Sequence, residues 1–302
     1  AGSEANIAVS LSILGNDALY ITALPSNELA RAGLAQLYKY GVKVHNHPSE
    51  QTRTGIYYYE SGQGARAGRI IYDRAYSAFS YLQPGQINWE KVFETSDWFH
   101  WSGITPALNE NLVAVCKEAL VAAKNKGLTI SADFNYRGTL WNYGKSCRDI
   151  MPELLQYCDI ILADVDTAKL YFGISPDEKD LVNSTFGLLH KHLPNASHIV
   201  MTMRVQESAS SNQYIGYLWH KGAIHQSRPY RIQQIAERIG AGDAFMAGVI
   251  HGIRSKLSLD ETIEFATACG VIKHSITGDF NIASHEEIRT LMQQGGSGKI
   301  IR

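Results

Sequence analysis

The chain has 302 residues, 45% of them hydrophobic and 19% charged, which predicts a soluble protein with one substantial core. Its 28 Lys and Arg residues nearly balance its 29 Asp and Glu residues. This argues against a nucleic-acid partner, because binding a phosphate backbone needs a basic excess. No apolar run is long enough to cross a bilayer and no basic-then-apolar segment occurs, so we expect no membrane partner. The four cysteines form no C-x-x-C pair, which favours reduced, buried thiols in a cytoplasmic protein.

The first predicted element is a helix that follows a Gly-Ser turn directly after Ala1. An α/β domain usually opens with a strand, because strand and helix alternate from the start of such a fold. We therefore expect that an N-terminal strand is missing from this sequence.

Strand-like and helical segments alternate along the rest of the chain. Five short, mostly apolar runs predict strands whose two faces are both covered by helices: Ala18–Leu24, Trp98–Trp101, Leu128–Phe134, Asp159–Leu162 and His198–Met203. Helices are predicted over Asn109–Lys126, from a Ser258/Glu261 capping box to about Ile272, and over Ser284–Gln294. This alternation predicts one α/β domain over residues 1–302, with a layered and mainly parallel sheet.

One segment, Thr52–Tyr81, breaks the alternation because it is rich in tyrosine and glycine. An alternating run over Thr54–Glu60, a turn at Ser61–Gly64 and a second run over Arg69–Tyr72 predict an inserted β-hairpin. Such a hairpin suits a lid over a site or a contact between subunits, and an ordinary surface hairpin is the alternative. As a contact, it predicts a homo-oligomer, a dimer or higher, built through the lids.

The most informative residues for function are Gly240-Ala241-Gly242-Asp243, which precede an apolar helical pattern. Glycines let backbone N–H groups approach a ligand, and the unpaired N–H groups at a helix N-terminus hold an anion. A carboxylate beside an anion site makes sense as a general base that activates an alcohol for phosphoryl transfer. Helix capping is the competing interpretation of Asp243, and spacing alone does not choose between them. The run is not a Walker A loop, since no G-K-[ST] follows it.

These four residues resemble the C-terminal signature of the ribokinase-like (PfkB) carbohydrate kinases, and Gly2–Ala8 resembles the N-terminal one. Within that family, further segments are similar to 2-keto-3-deoxygluconate kinases: Tyr72–Ala75, His100–Leu108, Asp133–Arg137 with Leu140-Trp141, Gly278–Asn281 and Gly296–Gly298. The resemblance implies an α/β, ribokinase-like three-layer fold with a mainly parallel central sheet and a small β-hairpin lid over residues 52–81.

The resemblance also implies a reaction and a role for each matching residue. ATP would phosphorylate the C6 hydroxyl of 2-keto-3-deoxygluconate, with Asp243 as base and the amides of Gly240, Ala241 and Gly242 as an anion hole. Mg²⁺ would bridge the phosphates largely through water. Substrate contacts would come from Gly2, Asn6, Tyr57, Tyr72, Arg74, Ile104, Arg137 and Asp279. Nucleotide contacts would come from Asn135, Arg137, Gly240, Gly242 and Asn281.

The sequence departs from the family pattern ahead of the anion site and in the magnesium motif. Glu237 stands where the family has aspartate, and Ala163-Asp164-Val165-Asp166 replaces N-x-x-E, which leaves Asp166 as a substitute metal ligand. Two arginines suit a substrate carboxylate, because guanidinium groups pair with carboxylates through two hydrogen bonds. Two alternatives stay open: a kinase for a neutral ketose or nucleoside, and a non-catalytic sugar or nucleotide sensor.

Overall fold

A computed structural model describes residues 2–62, 66, 68–206, 212–232 and 235–294. The strands are β1 Leu19–Pro25, β2 Lys43–Ser49, β3 Ile56–Glu60, β4 Arg69–Asp73, β5 Trp98–Ser102, β6 Thr129–Asp133, β7 Ile160–Leu162, β8 His198–Gln206, β9 Asn212–His220, β10 Ala223–Gln226 and β11 Tyr230–Ile232. The α-helices are α1 Ser3–Ile13, α2 Glu28–Lys39, α3 Trp89–Val92, α4 Ile104–Ala107, α5 Glu110–Asn125, α6 Cys147–Leu155, α7 Val165–Phe172, α8 Leu181–His192, α9 Ala241–Arg254, α10 Leu259–Lys273 and α11 His285–Gln294.

The central sheet is mixed. Its strand order is β10-β9-β8-β7-β6-β5, with β11 also paired to β9. Strands β5 to β8 are parallel, as predicted, whereas β9 runs antiparallel to β8, β10 and β11. The sequence did not predict β9 to β11, because these strands follow one another through short connections without the helical segments that mark a parallel crossover.

Helices cover both faces of the sheet, which makes the three layers that the sequence predicted. On strand β7, Ile161 belongs to a core shared with α5 to α8, whereas Ile160 and Leu162 belong to a core shared with α1, α9 and α10. This alternation follows from the two-residue period of a strand. The predicted capping box is confirmed, since Ser258 and Glu261 bond to each other's backbone at the start of α10.

Two small sheets stand beside the central one. Strands β1 and β2 form a parallel pair, and β3 and β4 form the predicted antiparallel hairpin, here called the lid hairpin; Gly64 of its predicted turn lies outside the described residues. A cavity of about 560 Å³ is lined by residues of β1, β5 and the lid hairpin. Within the described chain, β1 pairs only with β2 and β5 only with β6.

The packing of α9 against α10 sets the direction of the α9 N-terminus. A Cβ atom added to Gly248 of α9 would lie 2.6 Å from Cα of Ala266 in α10. The two helices are therefore in backbone contact, which only glycine allows at that crossing. This contact holds the N-terminal turn of α9 at the cavity. Among the described residues, no helix has the length and apolarity needed to span a bilayer.

Candidate active site

The N-terminal turn of α9 requires glycine at its first position. Gly240 is the N-cap and has φ of +81°, in the left-handed region. A Cβ atom added there would lie 2.1 Å from the carbonyl oxygen of Asp279. Both the dihedral angle and the close backbone therefore exclude any other residue without local rearrangement.

The same turn has N–H groups that no carbonyl of the helix accepts from. The first bond within α9 runs from the N–H of Ala244 to the carbonyl of Gly240 at 2.9 Å. The preceding N–H groups consequently have no partner within the helix. Gly242 has open space around the position of a Cβ atom, so a ligand can approach its backbone. Donors, dipole and access together make an anion site.

Asp243 is held by α1 and does not cap its own helix. Ser3 Oγ donates to Oδ1 of Asp243 at 2.6 Å, and Asn6 Nδ2 donates to Oδ2 at 2.7 Å. The N-cap of α9 is Gly240, which places Asp243 at the third helical position. The capping interpretation is therefore wrong, and the carboxylate faces the cavity with both oxygens fixed. Burial raises the pKa of Asp243, while the bonds from Ser3 and Asn6 oppose that rise.

The side-chain oxygen of Asn6 is available as a hydrogen-bond acceptor for a ligand. Its Nδ2 is used on Asp243, whereas its Oδ1 is buried and has no hydrogen-bond partner among the described residues. An unpaired buried acceptor costs free energy, so this oxygen suits a ligand hydroxyl. Asn6 also lines the cavity, which agrees with its predicted role in substrate binding.

A second acid, Asp133, lies at the end of β6. Burial and the charge of Asp243 raise the pKa of Asp133 to about 8, and Arg137 opposes the rise. Two neighbouring carboxylates with little solvent cannot both ionise cheaply. Each of these two buried acids therefore opposes the ionisation of the other.

The cavity brings together most of the residues predicted to bind substrate. Its lining includes Gly2, Asn6, Tyr57, Tyr72, Arg74, Ile104, Arg137 and Asp243. The guanidinium of Arg74 lies 4.0 Å from the centre of the Tyr72 ring, a cation–π contact that fixes it in place. Burial lowers the pKa of Arg74, and the charge of Arg137 lowers it further. The two cations therefore face the same space.

Neither Arg74 nor Arg137 forms an ion pair with a carboxylate of the described residues. Arg137 donates to the backbone carbonyl of Tyr136, at 3.0 Å. Half-buried arginines normally pair with an acid. These two arginines therefore give their part of the cavity positive charge that no ion pair within the described residues neutralises.

The lid hairpin is bonded to the body of the protein on the side of the α9 turn. Tyr57 donates to the carboxylate of Asp279, Tyr59 donates to Glu237 at 2.5 Å, and Ser61 donates to Glu237 at 2.8 Å. Glu237 is itself buried. Glu237 has a longer side chain than the aspartate of the family pattern. Here that side chain accepts hydrogen bonds from the lid hairpin.

A buried lysine lies beneath the α9 turn. Lys273 is 0% exposed, and its Nζ donates to the carbonyl of Ile276 at 2.9 Å. Its Cε lies 3.3 Å from the position of a Cβ atom on Gly240. Burial lowers the pKa of Lys273, whereas Glu237, Asp279 and Asp243 favour its charged form. The Lys273 side chain thus lies next to the α9 turn and near the acids that hold the lid.

Seven of the predicted site residues are not part of the cavity lining: Asn135, Asp166, Gly240, Ala241, Gly242, Asp279 and Asn281. Asn135 Nδ2 donates to Ser3 Oγ at 2.8 Å, so its side chain belongs to the network around Asp243. Asn281 is buried away from the cavity lining, and its Oδ1 accepts from the N–H of Ala283. Asp166 is exposed in the first turn of α7. No group of three or more metal-ligating side chains occurs in the described chain, so a magnesium ion would be held mainly by phosphate oxygens and water.

Sequence reasoning did not assign a role to three members of the site: Ser3, Asp133 and Lys273. Ser3 and Asp133 both lie in sequence motifs that resemble the family. Their closeness in sequence to Asn6 and Asn135 could therefore have marked them as members of the site. Lys273 had no such signal. From the neighbouring sequence, Lys273 is the basic last residue of a predicted helix. A lysine at that position is normally exposed.

Comparison with known proteins agrees with this geometry. The pattern described as "pfkB family carbohydrate kinase" matches residues 1–283. The chain is 26% identical to a 2-dehydro-3-deoxygalactonokinase of Haloferax volcanii, covering 99% of this chain and 89% of that protein. It is 25% identical to a 2-dehydro-3-deoxygluconokinase of Bacillus subtilis, covering 93% and 82%. The crystal structure of a 2-dehydro-3-deoxygluconokinase from Thermotoga maritima superposes with a TM-score of 0.90 at 34% identity, covering 97% and 89%.

A three-layer α/β fold with an anion-binding helix turn, a buried carboxylate and a hairpin lid defines a phosphotransferase that acts on an alcohol. The chain belongs to the pfkB family of carbohydrate kinases. The predicted family, fold and enzyme class are thereby confirmed. Kinases of this family use ATP and a sugar substrate.

Proposed function

We propose that this kinase transfers the γ-phosphoryl group of ATP to the C6 hydroxyl of 2-keto-3-deoxygluconate, also called 2-dehydro-3-deoxygluconate. The observation that carries the proposal is the pair of guanidinium groups, Arg74 and Arg137, that share a cavity with Asp243 and have no ion pair within the part of the chain that the structure describes. A 2-keto acid carries a carboxylate at one end and a primary alcohol at the other, which matches two separate ends of the site. The names of the Bacillus and Thermotoga relatives support the same substrate.

In this mechanism the substrate carboxylate pairs with Arg74 and Arg137, and its alcohol lies against Asp243. Asp243 accepts the C6 hydroxyl proton as that oxygen attacks the γ-phosphorus, the bond to the β–γ bridging oxygen breaks, and ADP leaves. The backbone N–H groups at Gly240, Ala241 and Gly242 bind the charge on the transferred group. Bound Mg²⁺ would neutralise charge on the phosphates and would be held mainly by phosphate oxygens and water.

The substrate is tested by measuring ADP release with a panel of alcohols. We expect turnover of 2-keto-3-deoxygluconate to exceed that of fructose and ribose. Its C4 epimer, 2-keto-3-deoxygalactonate, belongs in the panel because of the Haloferax relative. Better turnover of a neutral ketose or a nucleoside would overturn the assignment. Calorimetric binding of sugar and nucleotide without ADP formation would favour the sensor.

The role of the arginines is tested with Arg74→Ala. We expect KM for the acid substrate to rise about 10- to 100-fold, the range for losing a hydrogen bond to a charged group. KM for a neutral sugar should change little, because such a sugar has no carboxylate to lose. Arg69→Ala is the matched control, since Arg69 is exposed on the same hairpin, and it should leave both values unchanged. An equal rise for acid and neutral substrates would contradict the role.

The proposed homo-oligomer is supported by the outer face of the lid hairpin. Tyr58 and Ile71 are directly opposite each other in the register and are 57% and 58% exposed. Apolar cross-strand pairs on an exposed hairpin favour association with another copy. We expect sedimentation velocity to show a dimer or higher oligomer for the native chain and a monomer for Ile71→Glu. A native chain that sediments as a monomer at micromolar concentration would exclude it.

A further inference from the structure

The hydroxyl of Ser3 contacts two side chains of the site and has only one possible orientation. Asn135 Nδ2 lies 2.8 Å from Ser3 Oγ, and Ser3 Oγ lies 2.6 Å from Oδ1 of Asp243. An amide nitrogen can only donate, so the Ser3 oxygen accepts from Asn135. The single hydroxyl proton must then be donated to Asp243.

Asn135 is held for this contact by an unusual backbone. Its φ is +38°, a left-handed conformation that a residue with a side chain adopts only where the surroundings enforce it. The N–H of Asn135 donates to Oδ1 of Asp133 at 3.0 Å, which fixes the loop after β6. A continuous chain of hydrogen bonds therefore runs from Asp133 through Asn135 and Ser3 to Asp243.

We propose that Ser3 and Asn135 are positioning residues for Asp243, with Asn135 acting through the Ser3 hydroxyl. The proposal rests on the proposed function of Asp243 as general base. Ser3 occupies one acceptor direction of Oδ1, and Asn6 occupies one of Oδ2. A carboxylate bonded at both oxygens cannot turn about its Cβ–Cγ bond, so its remaining lone pairs stay directed at the cavity. Preorganisation of this kind favours proton transfer.

The bond from Ser3 also favours the ionised form of Asp243, because a donor stabilises the charged carboxylate. Removing it raises the pKa of Asp243. Since a base must be ionised to accept a proton, the acidic limb of the pH–kcat profile should move to higher pH. Charged or titratable groups face Asp243 from five elements or loops: Glu4 of α1, Tyr57 of β3, Asp133 of β6, Arg137 of the loop after β6 and Lys273 of α10.

The first test compares Ser3→Ala with Ser10→Ala. Ser10 is a buried serine of the same helix whose hydroxyl has no partner among the described residues. We expect Ser3→Ala to lower kcat about 10- to 100-fold, as for other hydrogen bonds to a charged group, and to shift the acidic limb upward. Ser10→Ala should do neither. An acidic limb that stays in place in Ser3→Ala would overturn the proposal.

The second test is a double-mutant cycle with Asn135→Gly, because glycine keeps the left-handed backbone and removes only the side chain. If Asn135 acts through Ser3, the double variant should be no slower than Ser3→Ala alone. Multiplicative losses would show instead that Asn135 contacts a ligand directly.

A third measurement does not depend on turnover. In protein labelled with ¹³C at aspartate carboxyl groups, the Asp243 signal is the one lost in Asp243→Asn. We expect it to titrate at higher pH in Ser3→Ala than in the native protein. If the native protein had no kinase activity, the proposed function would fail while this titration still tested the contact. If activity were present and the titration unchanged, only the positioning role would fail.

Discussion

Replacing Asp243 with asparagine should lower kcat by about 10²-fold or more, the usual contribution of a general base. Asparagine has nearly the same size but cannot take up the proton of an alcohol. It also has only one acceptor oxygen for two donors, Ser3 and Asn6. Initial rates of ADP release with saturating sugar and ATP would measure the loss. Retention of more than a tenth of the native kcat would rule out the general-base role.

The fold should not suffer in this variant. Burial raises the pKa of Asp243 above its unfolded value, so its ionised form costs stability at pH values above the folded pKa. The neutral amide has no such cost, but it leaves one of the two donors, Ser3 or Asn6, without an acceptor. Because these two effects oppose each other, we expect the Tm of Asp243→Asn at pH 8 to stay close to that of the native protein. Asp260→Asn is the control for kcat, since Asp260 is exposed at the start of α10 and its loss should leave turnover unchanged.

Replacing Gly240 with alanine should affect both the fold and the reaction. The φ of +81° disfavours any side chain, and the new Cβ atom would lie 2.1 Å from the backbone oxygen of Asp279. We expect a loss of about 1 to 3 kcal/mol in unfolding free energy. We also expect a fall in kcat of about 10²-fold, because the anion-binding N–H groups move. Urea denaturation and ADP release would measure the two effects.

Alanine substitutions at two further glycines separate the effect on the fold from the effect on the reaction. Gly242→Ala has room in the protein and an ordinary backbone, so its unfolding free energy should not fall, while its KM for ATP should rise if phosphate approaches that backbone. Gly187→Ala, in the exposed middle of α8, should gain a few tenths of a kcal/mol from helix propensity and keep native kinetics. Native kinetics in Gly242→Ala would place the phosphate elsewhere.

The sequence predicted those features that depend on residues close together along the chain. The strands β5 to β8 were readable as short apolar runs between helices, and the start of α10 as a serine and a glutamate three residues apart. The start of α9 at Gly240–Asp243, our candidate anion site, was predictable because a helix N-terminus and its glycines are local. Strands β9 to β11 were not predicted, because antiparallel strands need no helix between them. The hydrophobic periodicity of this part of the chain is also weaker.

Only tertiary packing determines which residues far apart in sequence form hydrogen bonds with each other. Ser3 and Asp243 are 240 positions apart, and Tyr57 and Asp279 are 222 apart. These bonds exist because α1 lies against α9 and because the lid hairpin reaches the loop before α11. The sequence alone determined that Asp243 stands beside an anion site, but left base and cap as equal interpretations. The approach of α1 argues against the cap, because both carboxylate oxygens of Asp243 accept from Ser3 and Asn6; the general base is our proposal.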